Sequence, residues 1–373
     1  MEKILTIVVP TYNMEKYLDK CLTSLIIEDK ELLNRLEVLV IIDGATDRSS
    51  EIAHTYQDSY PDTFRVIDKE NGNYGSCINR GLKEATGKYI KILDADDYFD
   101  TIVFESYIRK IEDVDVDLVL NDMHSFTLEG EDQILYNIAS FFDDNTIHGF
   151  DELFAIDIPR YVAMHCIAYK TNNVRSIDYK QTEGISYTDV EWCVIPMRTV
   201  KTFLSIKGFL YMYLMGRNGQ TTSPNVLKKS LPQLSKMLYV VVQSMDDYNN
   251  HDDVYYAFMK KMMIPHIYNL YRNMRYSEIL NETIRPFDDS INNMFHKTYL
   301  EMQNWSVNAC GINIRYIAII NHPWKELFRS VAVGGHTTFI AMLDFLYTVD
   351  LLKPRWVLLF MHSLKDIVVR IKQ

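Results

Sequence analysis

Tyr89-Ile90-Lys91-Ile92-Leu93-Asp94-Ala95-Asp96-Asp97 is the stretch whose reading decides the fold. Tyr89–Leu93 is a short, largely apolar run and reads as a buried strand. The chain then switches at once to carboxylates. A strand ending in Asp-x-Asp sets two carboxylates one residue apart, where open α/β sheets bind their ligands. Such a pair can converge on a divalent cation; Mg²⁺ and Mn²⁺ favour carboxylate oxygens and keep positions for water or phosphate. An isolated Asp-x-Asp is most often a solvated turn, so its weight depends on what the flanking sequence brings beside it.

Outward from that strand the signals alternate. Gly75–Ala85 reads as a helix stopped by Gly87, Phe64–Asp68 as a short strand, and Ser49–Tyr60 as a helix. Leu36–Ile42 (LEVLVII) is a buried strand broken by Asp43-Gly44, and Ile4–Val9 is a β-branched strand ended by Pro10. Asn13 is placed to cap a helix from Met14 to about Leu25, with Tyr17, Leu18, Cys21, Leu22 and Leu25 on one face. This βαβα rhythm predicts an α/β layer with a mostly parallel sheet. The polar clusters Thr11-Tyr12-Asn13, Asp43-Gly44 and Asp94–Asp97 then all fall at carboxyl ends of strands. Tyr12 offers a flat face for a base, and Asp43 can accept a hydrogen bond from a nucleobase N–H or a ribose hydroxyl, or simply shape an Asp-Gly turn. Asn71-Gly72-Asn73-Tyr74-Gly75 is a polar loop leading into a helix, a setting that favours phosphate. The chain has neither GxxxxGK[ST] nor a GxGxxG fingerprint.

Four stretches together resemble glycosyltransferase family 2: Val8–Asn13, Val40–Ser49, Glu70–Gly81 and Glu84–Asp97. The resemblance implies a GT-A, Rossmann-like catalytic domain over residues 1–222, matched strongly to about residue 100, followed by a helical C-terminal domain, 223–373, that no motif covers. It implies a nucleotide-sugar pocket in which Pro10, Thr11 and Tyr12 border the base and Asp43 reads it, usually as uracil. Asn71 and Asn79 line the pocket. Asp94 and Ala95 approach the ribose, Asp94 also the water shell of Mn²⁺ or Mg²⁺, and Asp96 ligates that metal between the two phosphates. Where many members carry an arginine, this chain has Ile78, which shifts diphosphate neutralisation toward the metal. The Gln-x-x-Arg-Trp of processive synthases is absent, which favours one sugar per encounter. Tyr187-Thr188-Asp189-Val190-Glu191-Trp192 resembles the family's second acidic motif. Asp189 is then the general base of an inverting transfer, with Glu191 as the competing choice. Gly216-Arg217-Asn218-Gly219-Gln220 resembles a recurrent segment in which Arg217 can neutralise a phosphate.

Composition agrees with an enzyme of this kind. The 373 residues carry a formal charge of −11, which excludes a broad basic nucleic-acid surface. Five separate cysteines with no CxxC point away from disulfides and toward a cytoplasmic chain. No apolar run is long enough for a membrane-spanning helix. His148, His165 and His336 stand singly and read as ordinary residues. Gly216–Pro224 is turn-rich and marks the domain boundary. Beyond it, Leu227–Asp247, Val254–Tyr276 and Ser277–Trp305 read as amphipathic helices whose apolar content leaves room for a homodimer face. Lys353–Gln373 is basic with Trp356–Met361 inside it. It reads as a terminal helix packed on its own domain, or as a peripheral contact with the inner face of the membrane. The expected partners are a nucleotide-sugar donor and a glycan or lipid-linked acceptor of bacterial cell-surface polysaccharide synthesis. The rival readings are a nucleotidyltransferase, which calls for a basic Gly-rich loop after the first strand, and an inactive GT-A scaffold whose helical tail holds a partner.

Overall fold

The structure is a computed structural model; the described residues are 2–128, 130–155, 162–217, 230–248, 253–263, 267, 284–295, 298–300 and 302. The chain forms two compact units, Met1–Met262 and Met263–Gln373.

The first unit is an α/β layer. Its opening strands are β1 (Leu5–Thr11), β2 (Leu36–Asp43), β3 (Phe64–Lys69) and β4 (Tyr89–Ile92). Every residue of β1, β2 and β4 is buried, as near-continuous apolar runs require in a sheet covered on both faces. β3, at the edge of the sheet, mixes buried with exposed residues. All four are parallel in the order β3-β2-β1-β4. Thr11 pairs with Ile42 and Val8 with Ile92, so the residues after each strand open on one edge.

The connecting helices are α1 (Leu18–Thr23), α2 (Lys30–Leu33), α3 (Ser49–Ser59) and α4 (Asn73–Glu84). Gly81 lets α4 lie directly on β1, since a Cβ there would stand 2.5 Å from the Val8 methyls. α1 is shorter than its periodicity predicts. Asn13 sits at φ +53° and its Oδ1 accepts the Thr46 N–H at 2.8 Å, so its side chain ties two loops together and leaves Tyr17, without a side-chain cap, at the start of the helix.

Beyond β4 the sheet becomes mixed: β5 (Tyr98–Phe99), β6 (Leu118–Thr127), β7 (Asp132–Tyr136), β8 (Thr146–Gly149), β9 (Ile167–Lys170) and β10 (Thr202–Met215). The full path is β3-β2-β1-β4-β9-β6-β10-β5, with β7 on β6 and β8 on β10. β6 lies parallel to β10 and antiparallel to β9. The helices here are α5 (Thr101–Ile111), α6 (Phe150–Ala155), α7 (Thr171–Arg175) and α8 (Asp189–Val194). α9 (Leu231–Asp246) and helical residues 254–262 complete the described part of the first unit. Most of the expected boundary segment, 216–224, lies outside the described residues, and the compact unit continues past it to Met262.

In the second unit the described helix Ile284–Met294 carries buried Asp288 and Ile291, and Tyr299 donates to Asp288. The expected basic segment 353–373 lies outside the described residues. Among the described residues no helix is long and apolar enough to cross a membrane.

Candidate active site

The strand ends after β1, β2 and β4 share one cavity of about 610 Å³. Pro10, Thr11 and Tyr12 line it from β1, Asp43 from β2, Asn71 from the loop before α4, and Asp94, Ala95 and Asp96 from the loop after β4. Asp189 and Arg217 line it from the later part of the chain. Every anticipated site residue but Asn79 is therefore brought to one place. Tyr12 leaves 49% of its surface open, enough for a base to stack on its ring.

Asp43 is almost wholly buried. Oδ1 pairs with the Lys69 ammonium and accepts the Gly72 N–H at 2.9 Å. The Asn71 side-chain amide donates to the Asp43 carbonyl at 2.9 Å. The loop before α4 is thus fastened to the end of β2. Asn79 lies outside the cavity lining because its amide is spent elsewhere. Nδ2 donates to the Gln181 carbonyl and to Glu183, both at 2.9 Å, and Oδ1 accepts the Gln181 N–H at 2.8 Å. Ile78 is fully buried and Arg80 pairs with Glu84 at 3.0 Å, so neither lines the cavity.

Three carboxylates crowd the loop after β4. Asp94 Oδ1 accepts the Tyr74 hydroxyl at 2.8 Å, and Oδ2 stands 3.5 Å from His165 Nε2. Asp96 pairs with the Arg217 guanidinium, whose centre lies 6.0 Å from the Tyr17 ring. Burial, reinforced by the charge of Asp94 and opposed by Arg217, raises the Asp96 pKa. Asp97 turns away from the cavity and into the core. It accepts the Tyr211 hydroxyl and the Leu214 N–H, each at 2.8 Å, and burial with its acidic neighbours lifts its pKa well above the usual range.

Ligand atoms of Asp94, Asp97 and His165 lie within 4.8 Å of one another. Carboxylate oxygens with one imidazole suit Mn²⁺ or Mg²⁺. Asp97 already serves two core donors, whereas Asp94, Asp96 and His165 line the cavity. Asp94 and His165 are the members of that cluster that line the cavity and could hold a divalent cation; Asp96, two residues on from Asp94, pairs with Arg217. His165 was not singled out by its sequence. It sits in the turn Met164–Cys166, carries no motif, and meets Asp94 only through the fold. Met164, Ser186 and Tyr213 also enter the lining without a local signal, and Tyr74 and Tyr187 enter it from the quoted motifs.

The two acidic candidates of α8 separate cleanly. Asp189 starts the helix, is exposed and lines the cavity. Glu191 is fully buried, accepts the Thr182 N–H at 2.9 Å, and is absent from the lining. Burial pushes its pKa up to about 7.

Comparison with known proteins agrees with this geometry. Residues 6–167 match the family model "Glycosyl transferase family 2". The uncharacterized glycosyltransferase EpsJ of Bacillus subtilis (strain 168) is 35% identical over 119 residues, 32% of this chain and 33% of that protein. The minor teichoic acid biosynthesis protein GgaB of the same organism is 23% identical over 267 residues, 69% of this chain and 28% of that protein. The matched stretches thus span about a third or less of these relatives. The crystal structure of S. aureus TarS 1-349 in complex with UDP-GlcNAc superposes with a TM-score of 0.58 at 18% identity, covering 84% of this chain and 87% of that one. That likeness speaks to the fold: the first unit is of the GT-A type. With the motifs, the strand-end cavity and the family match in agreement, the matched α/β part of this chain, residues 6–167, belongs to glycosyltransferase family 2.

Proposed function

We propose that this chain is a metal-dependent inverting glycosyltransferase. It moves a sugar from a UDP-linked donor to a hydroxyl of a glycan or lipid-linked acceptor in cell-surface polysaccharide synthesis. The observation that carries this reading is one cavity that gathers Asp43, the Asp94/Asp96 pair and the exposed Asp189. The names of relatives support the finer points: TarS was crystallised with UDP-GlcNAc, and GgaB is named for minor teichoic acid biosynthesis.

In this reading the base stacks on Tyr12 and is read by the Asp43 carboxylate, which Lys69 and the Gly72 N–H hold at the cavity wall. Asp94 and Asp96, with His165 beside Asp94, would hold a divalent cation, which when bound would supply positive charge to the leaving diphosphate. Arg217, beside Asp96 at the cavity wall, contributes a guanidinium to the same phosphates. Asp189 takes the proton of the acceptor hydroxyl as its oxygen bonds to the anomeric carbon. The bond from that carbon to the diphosphate breaks on the opposite side, UDP leaves, and the configuration inverts.

The test is UDP release from UDP-glucose, UDP-galactose, UDP-GlcNAc and UDP-GalNAc, with Mn²⁺ and after chelation. Release from at least one donor, abolished by chelation, is the expected result. No release from any donor, with or without a lipid or glycan acceptor extract, contradicts the reading.

A further inference from the structure

The carboxylate assigned as base rides on a segment that forms no regular structure before Asp189, and three of its residues, Ser186, Tyr187 and Asp189, line the cavity. That segment is fastened at both ends. At 181–184 it is bound to α4 by the Asn79 amide and by the Gly184 N–H, which donates to the Gly72 carbonyl at 3.0 Å. The approach is so close that a Cβ on Gly75 would stand 1.9 Å from the Thr182 carbonyl oxygen. At 188–191 it is bound to itself: Gln181 Nε2 donates to Thr188 Oγ1 at 2.7 Å and Glu191 accepts the Thr182 N–H.

The middle of the span is held from outside. The Ser186 N–H donates to Gln233 Oε1 at 2.8 Å, and Lys236 Nζ donates to the Glu183 carbonyl at 3.1 Å. Both side chains project from α9, a helix that begins with Pro232 in its first turn. This helix lies past residue 167, where the family match ends, and past the motifs. It packs on α8, the helix that Asp189 starts.

We propose that Gln233 is a positioning residue for the transfer reaction: by holding the Ser186 amide it fixes the backbone three residues before Asp189 and so the place of that carboxylate. The inference rests on the glycosyltransferase reading above. Gln233 touches neither donor nor metal in it; its effect passes through the backbone. Displacement of a reacting group by about 1 Å costs on the order of 100-fold in rate, and loss of one anchoring bond leaves the rest of the segment tied down, so a smaller loss is expected.

The experiment compares wild type, Gln233→Ala and Gln233→Glu. UDP release from the active donor gives kcat and KM in saturating Mn²⁺, and amide hydrogen exchange is followed over 181–189. Gln233→Ala is expected to lower kcat about tenfold with the donor KM within about twofold, and to speed exchange at Ser186 while α4 exchanges as before. Gln233→Glu, whose carboxylate accepts the same N–H, is expected to restore kcat to within about threefold. Unchanged exchange at Ser186 overturns the proposal. So does a variant whose KM rises while kcat stands, or a glutamate variant no better than alanine with both folded. If wild type releases UDP from no donor, the glycosyltransferase reading fails instead, and the proposal falls with it.

Discussion

Asp189 and Glu191 stand two residues apart on one short helix, and the fold treats them oppositely. The first opens on the cavity; the second is buried against the Thr182 amide. Asp189→Asn is therefore expected to bind UDP as wild type does and to lose about 10²–10⁴ in transfer rate, the range of a general base. Calorimetry and UDP release on the same preparation check it, and unchanged transfer moves the base elsewhere. Asp96→Asn keeps the shape of the side chain beside Arg217 but removes the charge offered to a cation. It is expected to lose metal-dependent turnover by about 100-fold or more while its thermal midpoint stays within a few degrees. Asp43, Asp94, Asp96 and Asp189 were legible in the sequence because each abuts a strand or helix signal. His165 was not, for its partner Asp94 sits on a different element, and a lone histidine in a turn carries no periodic or spacing signal. Asn79 shows the converse. Its stretch resembles the family's, yet here its amide serves the 181–183 segment rather than the cavity.

At the scale of elements, the buried strands were read with ends within two residues, because burial on both faces dictates their composition; β1 runs through Pro10, where the reading stopped it, to Thr11. The first helix was read too long. Asn13 has the chemistry of a cap, but it adopts a left-handed backbone and bonds across to Thr46, a long-range choice that local propensity does not contain. The mixed half of the sheet was equally hidden, since β4 to β9 and β6 to β9 pair antiparallel between strands far apart in sequence. The close seat of the 181–184 segment on α4 yields a further expectation. Gly75→Ala forces backbone apart at the Thr182 carbonyl. It is expected to cost about 1–3 kcal/mol of stability and to lower transfer more than UDP binding. Urea unfolding together with kinetics checks this, and a variant equal to wild type in both refutes the tight fit.

At the scale of the whole molecule, the buried carboxyl of Glu191 links stability to pH. Its pKa rises from an ordinary 4.5 to about 7 on folding, chiefly through burial. The folded state therefore binds the proton more tightly than the unfolded chain, so the contribution is full below about pH 4.5 and is lost as pH rises toward 7. Relative to Glu191→Gln, which stays neutral, wild type is expected to lose about 3 kcal/mol across that interval. Urea midpoints of the two proteins from pH 4.5 to 7.5 read the difference, and parallel profiles contradict it.

On the proposed reading, the strand-end cavity is a metal-assisted uridine diphosphate site. The decisive experiment is calorimetric titration of UDP, with and without Mn²⁺ and against GDP and CDP. Binding is expected to strengthen with Mn²⁺ and to favour UDP over both other nucleotides. Absence of binding by all three nucleotides with Mn²⁺ present, or equal binding of all three regardless of metal, contradicts it.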